Sequence, residues 1–301
     1  MFATLLGPLP RPPLDADAGT DDLVSAAVGA QEEAGLEPIT DGGFGVGLSP
    51  VERWRRTAGI TDRAVKAVLE GPYTAGRAGG GADQTILAAA DSLNATLRAL
   101  AAAGCPMIEI HEPLATRVGS DEGDRARFRE AHRRLLAGVD GPHLSLAITG
   151  GSVDIAGTET LLAAPYASLA VDLIAGPDNW RLVVATPGDR GIVCGALSPE
   201  LGSDDSVEVL LWAAAYAAST GERGPARVGL ATASSLAALT WEVAVAKMRR
   251  LGEAARLADL PPDELRRSID PRAVDIRSAA LGRVEPARRT RDDPAGRGER
   301  D

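Results

Sequence analysis

The sequence predicts an α/β fold, a single (β/α)8 TIM barrel, and three observations carry that expectation. Eight short apolar runs are bounded by Gly, Pro or Asp. Amphipathic stretches of helical period separate them. The chain has 301 residues, which suits one large barrel or two average domains, and the repeated strand–helix alternation favours the barrel.

The expected strands are 2–6, 36–39, 67–69, 107–110, 144–148, 169–173, 192–194 and 228–231. Their near-continuous apolar character fits parallel strands buried on both faces. After the third strand, Asp83 can cap a helix with Ile86, Ala90, Leu93, Leu97 and Leu100 on one face and Gly104 as its stop. Asp124 can open the next, with Phe128, Ala131 and Leu135 inward and Gly138 ending it. Ser206 precedes a helix that turns Val207, Leu210, Leu211, Ala214 and Ala218 to one side, with Gly221 after it. Residues 236–257 read as a long final helix, and Pro261-Pro262-Asp263 opens a shorter one. The barrel is assigned to 1–282. The tail 283–301, rich in Arg, Asp, Gly and Pro, is expected to be disordered, because it has too little apolar surface to offset the entropy of ordering.

Charge and composition narrow the function. A net charge of −10 repels a polyanion, and only 3% of residues are aromatic, so no nucleic-acid partner is expected. No apolar run approaches the roughly 18 residues of a membrane span. The start MFATLLGPLPRPP has neither a basic region nor a long apolar core and is not read as a signal peptide. Two cysteines outside any CxxC, Cys105 and Cys194, point to a reduced, cytoplasmic setting. The expected partner is a small-molecule substrate, with a homodimer or a partner protein left open.

In such a barrel the chemistry sits at the C-terminal strand ends. Those ends carry Arg11, Asp41, Tyr73 and Thr74, then His111 and Glu112, Thr149, Asp172, Cys194 and Ser234, in strand order. Asp41, His111, Glu112 and Asp172 are the candidate catalytic residues, since carboxylates beside an imidazole can split their pKa values into an acid and a base. Helix capping, or pairing with Arg11 or Arg117, is the alternative role for the carboxylates. Arg11, Tyr73, Thr74, Thr149, Cys194 and Ser234 are candidate substrate contacts. His132, in the polar run REAHRR, is expected on a solvated face. His143, at the start of the fifth strand, is expected to be structural, and Cys105 to be buried. Gly79, Gly80 and Gly81 lack the Lys-Ser/Thr ending of a phosphate-binding loop and are expected to form a flexible one.

The motifs LLGPLPRP, AVGAQEEAGLEPITDGG, LEGPYT, AAGCPMIEIHEP and ASSLAALTWEVAVAKMRRLGEAAR follow one another at barrel-compatible spacing. Through them, over residues 2–258, the sequence resembles the catalytic barrel of the cobalamin-independent methionine synthase family, a relative of uroporphyrinogen decarboxylase. The resemblance implies a TIM barrel. In the family a zinc ion activates homocysteine thiolate, held by a His-x-Cys pair after strand five, a Glu after strand six and the Cys of a Cys-Gly pair after strand eight. Those positions here are Ala147 and Thr149, Asp172, and Ser234 followed by Ser235. The family's homocysteine contacts have changed as well: its Ser is Pro8, its Glu is Gly43, and the Asp of its Asp-Glu-Pro motif is His111, with Glu112 and Pro113 kept.

No metal and no cofactor is therefore expected, with a rebuilt site from His111, Asp172 and Cys194 as the alternative. The expected function is a zinc-independent enzyme that transfers a methyl or other alkyl group on a small polar metabolite. His111 is its acid/base, Glu112 and Asp172 orient or charge the site, and Arg11 holds an anionic group. Two readings stay open beside it. One is a metal-free lyase or decarboxylase in which Arg11 and the acids stabilise a carbanion. The other is a non-catalytic binding or partner subunit.

Overall fold

The computed structural model describes residues 1–78, 83–203 and 205–268. Gly79, Gly80, Gly81 and the tail 283–301 lie outside the described residues, as does the side chain of Asp83. Among the described residues, seven strands form one parallel sheet: β1 Phe2–Thr4, β2 Lys66–Glu70, β3 Met107–His111, β4 His143–Ile148, β5 Ser168–Asp172, β6 Gly191–Leu197 and β7 Val228–Thr232. Their order is β1-β7-β6-β5-β4-β3-β2. The register runs Val68↔Glu109, Glu109↔Ser145 and Ser145↔Ser168 across β2 to β5.

The helices are α1 Thr20–Glu33, α2 Pro50–Ala58, α3 Pro72–Ala78, α4 Asp83–Ala102, α5 Glu122–Leu136, α6 Thr158–Leu161, α7 Trp180–Ala185, α8 Val207–Ser219, α9 Trp241–Ala258 and α10 Pro262–Ser268. Most of the expected inward faces are met. Ile86, Ala90, Leu97 and Leu100 of α4 are buried, as are Phe128, Ala131 and Leu135 of α5 and Leu210, Leu211 and Ala214 of α8. Capping shifts two boundaries. Asp121, not Asp124, caps α5 by accepting the Asp124 N–H, and Thr240 caps α9 by accepting that of Val243, so α9 starts later than the apolar run suggests. Helix α2 opens on Ser49-Pro50, where the Ser49 and Glu52 side chains each accept the other's backbone N–H.

One expected strand is reduced. Segment 36–39 makes no ladder; Ile39 forms an isolated parallel bridge with Val65. Pro38 has no N–H to donate, so regular pairing cannot run through it. The segment still joins both edges of the sheet: Glu37 N–H donates to Ala3 O at 2.8 Å, and Lys66 N–H to Ile39 O at 3.0 Å. The sheet is strongly curled, because Leu6, Ala147, Ala170, Val193 and Ala231, from β4 to β7 and the chain just past β1, pack together on its concave face. The larger core lies on the convex face, against the helices. Among the described residues no helix is long and apolar enough to cross a membrane.

Candidate functional site

Strand β3 reads Met-Ile-Glu-Ile-His, and alternation sends its residues to opposite faces. Ile108 and Ile110 join the helix-side core, which leaves Glu109 and His111 on the concave face. Lys66 enters beside them from β2. Its Nζ lies 2.8 and 2.9 Å from the two Glu109 carboxylate oxygens and 2.8 Å from Leu5 O. Three ammonium protons thus meet three acceptors, which a fully buried ion pair needs to offset its lost hydration. Burial alone would push the Glu109 carboxyl up; Lys66 and His111 outweigh it and hold it at about 2. Burial pushes the Lys66 ammonium down, and Glu109 pulls it part of the way back.

His111 links this pair to solvent. Its Nε2 is 2.7 Å from Glu109 Oε1, and 15% of its side chain is exposed while Glu109 and Lys66 have none. An ionised carboxylate only accepts, so a neutral His111 carries its proton on Nε2 and leaves Nδ1 with a free lone pair. Lys66 and Glu109 were not among the expected site residues. The i, i+2 spacing of Glu109 and His111 on one strand, and a lysine opening an apolar run, are the signals that point to them.

Glu112, next along the chain, faces elsewhere. It is fully buried and accepts the N–H groups of Tyr73 at 2.9 Å and Thr74 at 2.8 Å and the Thr74 hydroxyl at 2.6 Å, holding the first turn of α3. A Cβ on Gly71 would stand 2.2 Å from its Oε1, so the approach needs glycine there. Tyr73 donates its hydroxyl to Asp124 at 2.9 Å and lies edge-on to Phe128. Tyr73 and Thr74 therefore belong to the α3–α5 packing and not to the concave face. His132 joins this cluster, with Nε2 3.3 Å from Glu112 Oε1 and Nδ1 2.6 Å from the Tyr166 hydroxyl. The solvated position expected for His132 is overturned: it is 1% exposed, because it sits at i+4 from Phe128 and three residues before Leu135, on the inward stripe of α5. Burial, and Glu112 nearby, push the Tyr166 phenol well up.

The other carboxylates tie loops. Asp41 accepts the N–H of Gly43 at 3.0 Å and Gly45 at 3.2 Å and pairs with Arg53 Nε at 3.1 Å. Asp172 accepts the N–H of Gly150, Ile174 and Ala175, each at 2.9 Å, and so binds the loops after β4 and β5 together. Arg11 is exposed and donates to Asp15 O and Ala16 O of its own loop. Thr149 and Ser234 are half-buried just past β4 and β7. Cys194 does not face the concave side. Its Sγ lies 3.8 Å from Ala213 O on α8, and burial pushes the thiol up to about 12. His111, Asp172 and Cys194 accordingly do not form a rebuilt metal site.

The four positions that the resemblance assigns to zinc offer a methyl group, two hydroxyls and one carboxylate already engaged by three N–H groups. They include neither thiolate nor imidazole, the ligands suited to that ion, so this donor set does not fit it. Among the described residues no group of three His, Cys, Asp or Glu side chains is placed to hold a metal ion.

No family model matches the chain. It is 32% identical over 142 residues to a 5-methyltetrahydropteroyltriglutamate–homocysteine methyltransferase of Parvibaculum lavamentivorans, which covers 46% of this chain and 18% of that protein. To the enzyme of the same name from Nitratidesulfovibrio vulgaris it is 28% identical over 247 residues, 71% of this chain and 28% of that one. The chain thus spans under a third of the length of these curated relatives. Its fold is similar to that of a B12-independent methionine synthase from Shewanella sp. W3-18-1, solved in complex with selenomethionine. The TM-score is 0.69 at 15% identity, over 85% of this chain and 96% of that one. In sequence the chain is similar to part of these homocysteine methyltransferases, and in fold it is similar to a B12-independent methionine synthase.

Proposed function

We propose that this chain is a methyltransferase-like enzyme that moves a methyl or other alkyl group onto a small polar metabolite without a zinc site. The observation that carries the proposal is the Lys66–Glu109–His111 array: a partly exposed imidazole oriented by a buried carboxylate, which a buried ammonium keeps ionised. His111 Nδ1 takes the proton from the acceptor's nucleophilic atom as that atom attacks the alkyl carbon. The new bond forms while the bond to the donor breaks, its electron pair leaving with the donor. Glu109 stabilises the imidazolium, which returns its proton to the departing donor. Acid–base assistance of this kind contributes roughly 10²–10⁴-fold.

In this reading Thr149 and Ser234 meet the substrate, while Asp41, Glu112 and Asp172 hold the frame. Segment 36–39 fills the eighth place of a barrel, supported by its hydrogen bonds to both sheet edges. A reduced, cytoplasmic setting is part of the proposal, supported by two free, buried cysteines. The donor to try first is the one named for the relatives, 5-methyltetrahydropteroyltriglutamate, with a panel of small thiols and amines as acceptors and mass spectrometry of the products. Turnover is expected to survive chelator treatment and to fall about 100-fold or more in His111→Ala. Activity that chelation abolishes and zinc restores, or that the variant leaves intact, rejects the proposal.

A further inference from the structure

At the edge of the sheet opposite His111, the strand N-termini surround a cavity of about 310 Å³. Phe2 of β1, His143 of β4, Ser168 of β5 and Ile192 of β6 line it, with Asp189 and Arg227 from the chain leading into β6 and β7. Two glycines let the side chains of the lining pack closely against the backbone. A Cβ on Gly229 would stand 2.4 Å from the Phe2 ring, and one on Gly191 3.0 Å from the Ser168 Cβ. On this lining His143 Nε2 and Ser168 Oγ satisfy each other at 2.8 Å.

Asp189 and Arg227 are exposed, and among the described residues neither side chain has a hydrogen bond or an ion pair, including with the other. The neighbouring arginines are committed. Arg190 donates to Leu162 O and Ala164 O, and Arg223 to five acceptors, four of them backbone carbonyls. One cavity therefore presents one free cation, one free anion and an apolar wall. A lone anion there would face Asp189, and a lone cation Arg227; a molecule with both charges satisfies both. The volume is at the lower end of the roughly 300–1,000 Å³ of small-molecule sites. In this architecture that end of the sheet ordinarily serves stability, and the proposed chemistry at His111 has no use for these charges.

We propose that this cavity binds a small zwitterion, an ammonium carboxylate with an apolar body. Arg227 receives the carboxylate, Asp189 the ammonium, and the Phe2 ring faces the carbon skeleton. The test is calorimetric titration of the full chain with ε-aminocaproate and with L-leucine, two separations of the same charges, against caproate and hexylamine. At least one zwitterion is expected to bind at least about tenfold more tightly than either single-charge analogue. Arg227→Gln and Asp189→Asn are each expected to weaken it about tenfold; both positions are exposed, so the fold tolerates the changes. His111→Ala is expected to leave this binding unchanged, which separates the site from the proposed catalytic one. The proposal is overturned if neither zwitterion binds, if caproate or hexylamine binds equally well, or if binding survives both cavity variants.

Discussion

His111 and Glu112 are consecutive residues, and each belongs to a histidine–glutamate pair. On the concave face His111 meets Glu109 at 2.7 Å and keeps part of its ring open to solvent. On the helix side Glu112 lies 3.3 Å from His132, and both are enclosed. The two pairs use the same chemical groups. They differ in what else the carboxylate holds. Glu109 is balanced by a lysine and leaves its histidine one free nitrogen. Glu112 is occupied by two backbone N–H groups and a hydroxyl of α3, and His132 is closed in by Tyr166 and Phe128. Chemistry needs an opening, and only the first pair has one.

The most direct way to break this contrast is to remove each histidine. His111→Ala is expected to cut turnover by about 10²–10⁴-fold and to change unfolding free energy by no more than about 1 kcal/mol. His132→Phe is expected to do the reverse, keeping turnover while costing about 1–3 kcal/mol in urea denaturation. Equal effects on activity would erase the distinction. Next in size, Lys66→Met leaves Glu109 buried without its cation and should destabilise by about 3–5 kcal/mol, and adding Glu109→Leu should recover most of that loss. A double variant no better than the single one would mean that the pair is not the unit described here.

Acid titration sharpens the comparison further. The Glu109 carboxyl is held at about 2 against an ordinary 4.5. The unfolded chain therefore takes up this proton first, so the group's contribution is full above about pH 4.5 and is lost as the pH falls toward 2. Glu109→Gln should flatten that limb of the stability curve, and an unchanged slope would contradict the assignment. The smallest effect is expected at Ser145, whose buried hydroxyl has no partner among the described residues although it lies in register between Glu109 and Ser168. Ser145→Ala should be neutral or stabilising by up to about 1 kcal/mol. A clear loss would show that the hydroxyl is satisfied, as by a bound water.

Seven of the eight strands and the buried faces of the main helices were legible because both rest on local apolar periodicity. The strand at 36–39 was not, since apolar character says nothing of the missing donor at Pro38. His111 could be placed because it ends an apolar run. Lys66 and Glu109 escaped because they sit inside strands, where a charge is tolerated only when another part of the chain brings its counter-ion. Cys194 was assigned by its distance along the strand, whereas the face is set by parity: Val193 packs on the concave side, so its neighbour cannot. The loop-tying roles of Asp41 and Asp172 depend on backbone N–H groups, which every non-proline residue carries and no side-chain pattern announces.

That last arrangement has an evolutionary consequence. Asp172 grips positions 150, 174 and 175 through main-chain atoms alone. The side chains at 174 and 175 can then be exchanged without loosening the rim they sit on. The chemistry of that rim can thereby change from one sequence to the next while the architecture around it stays put.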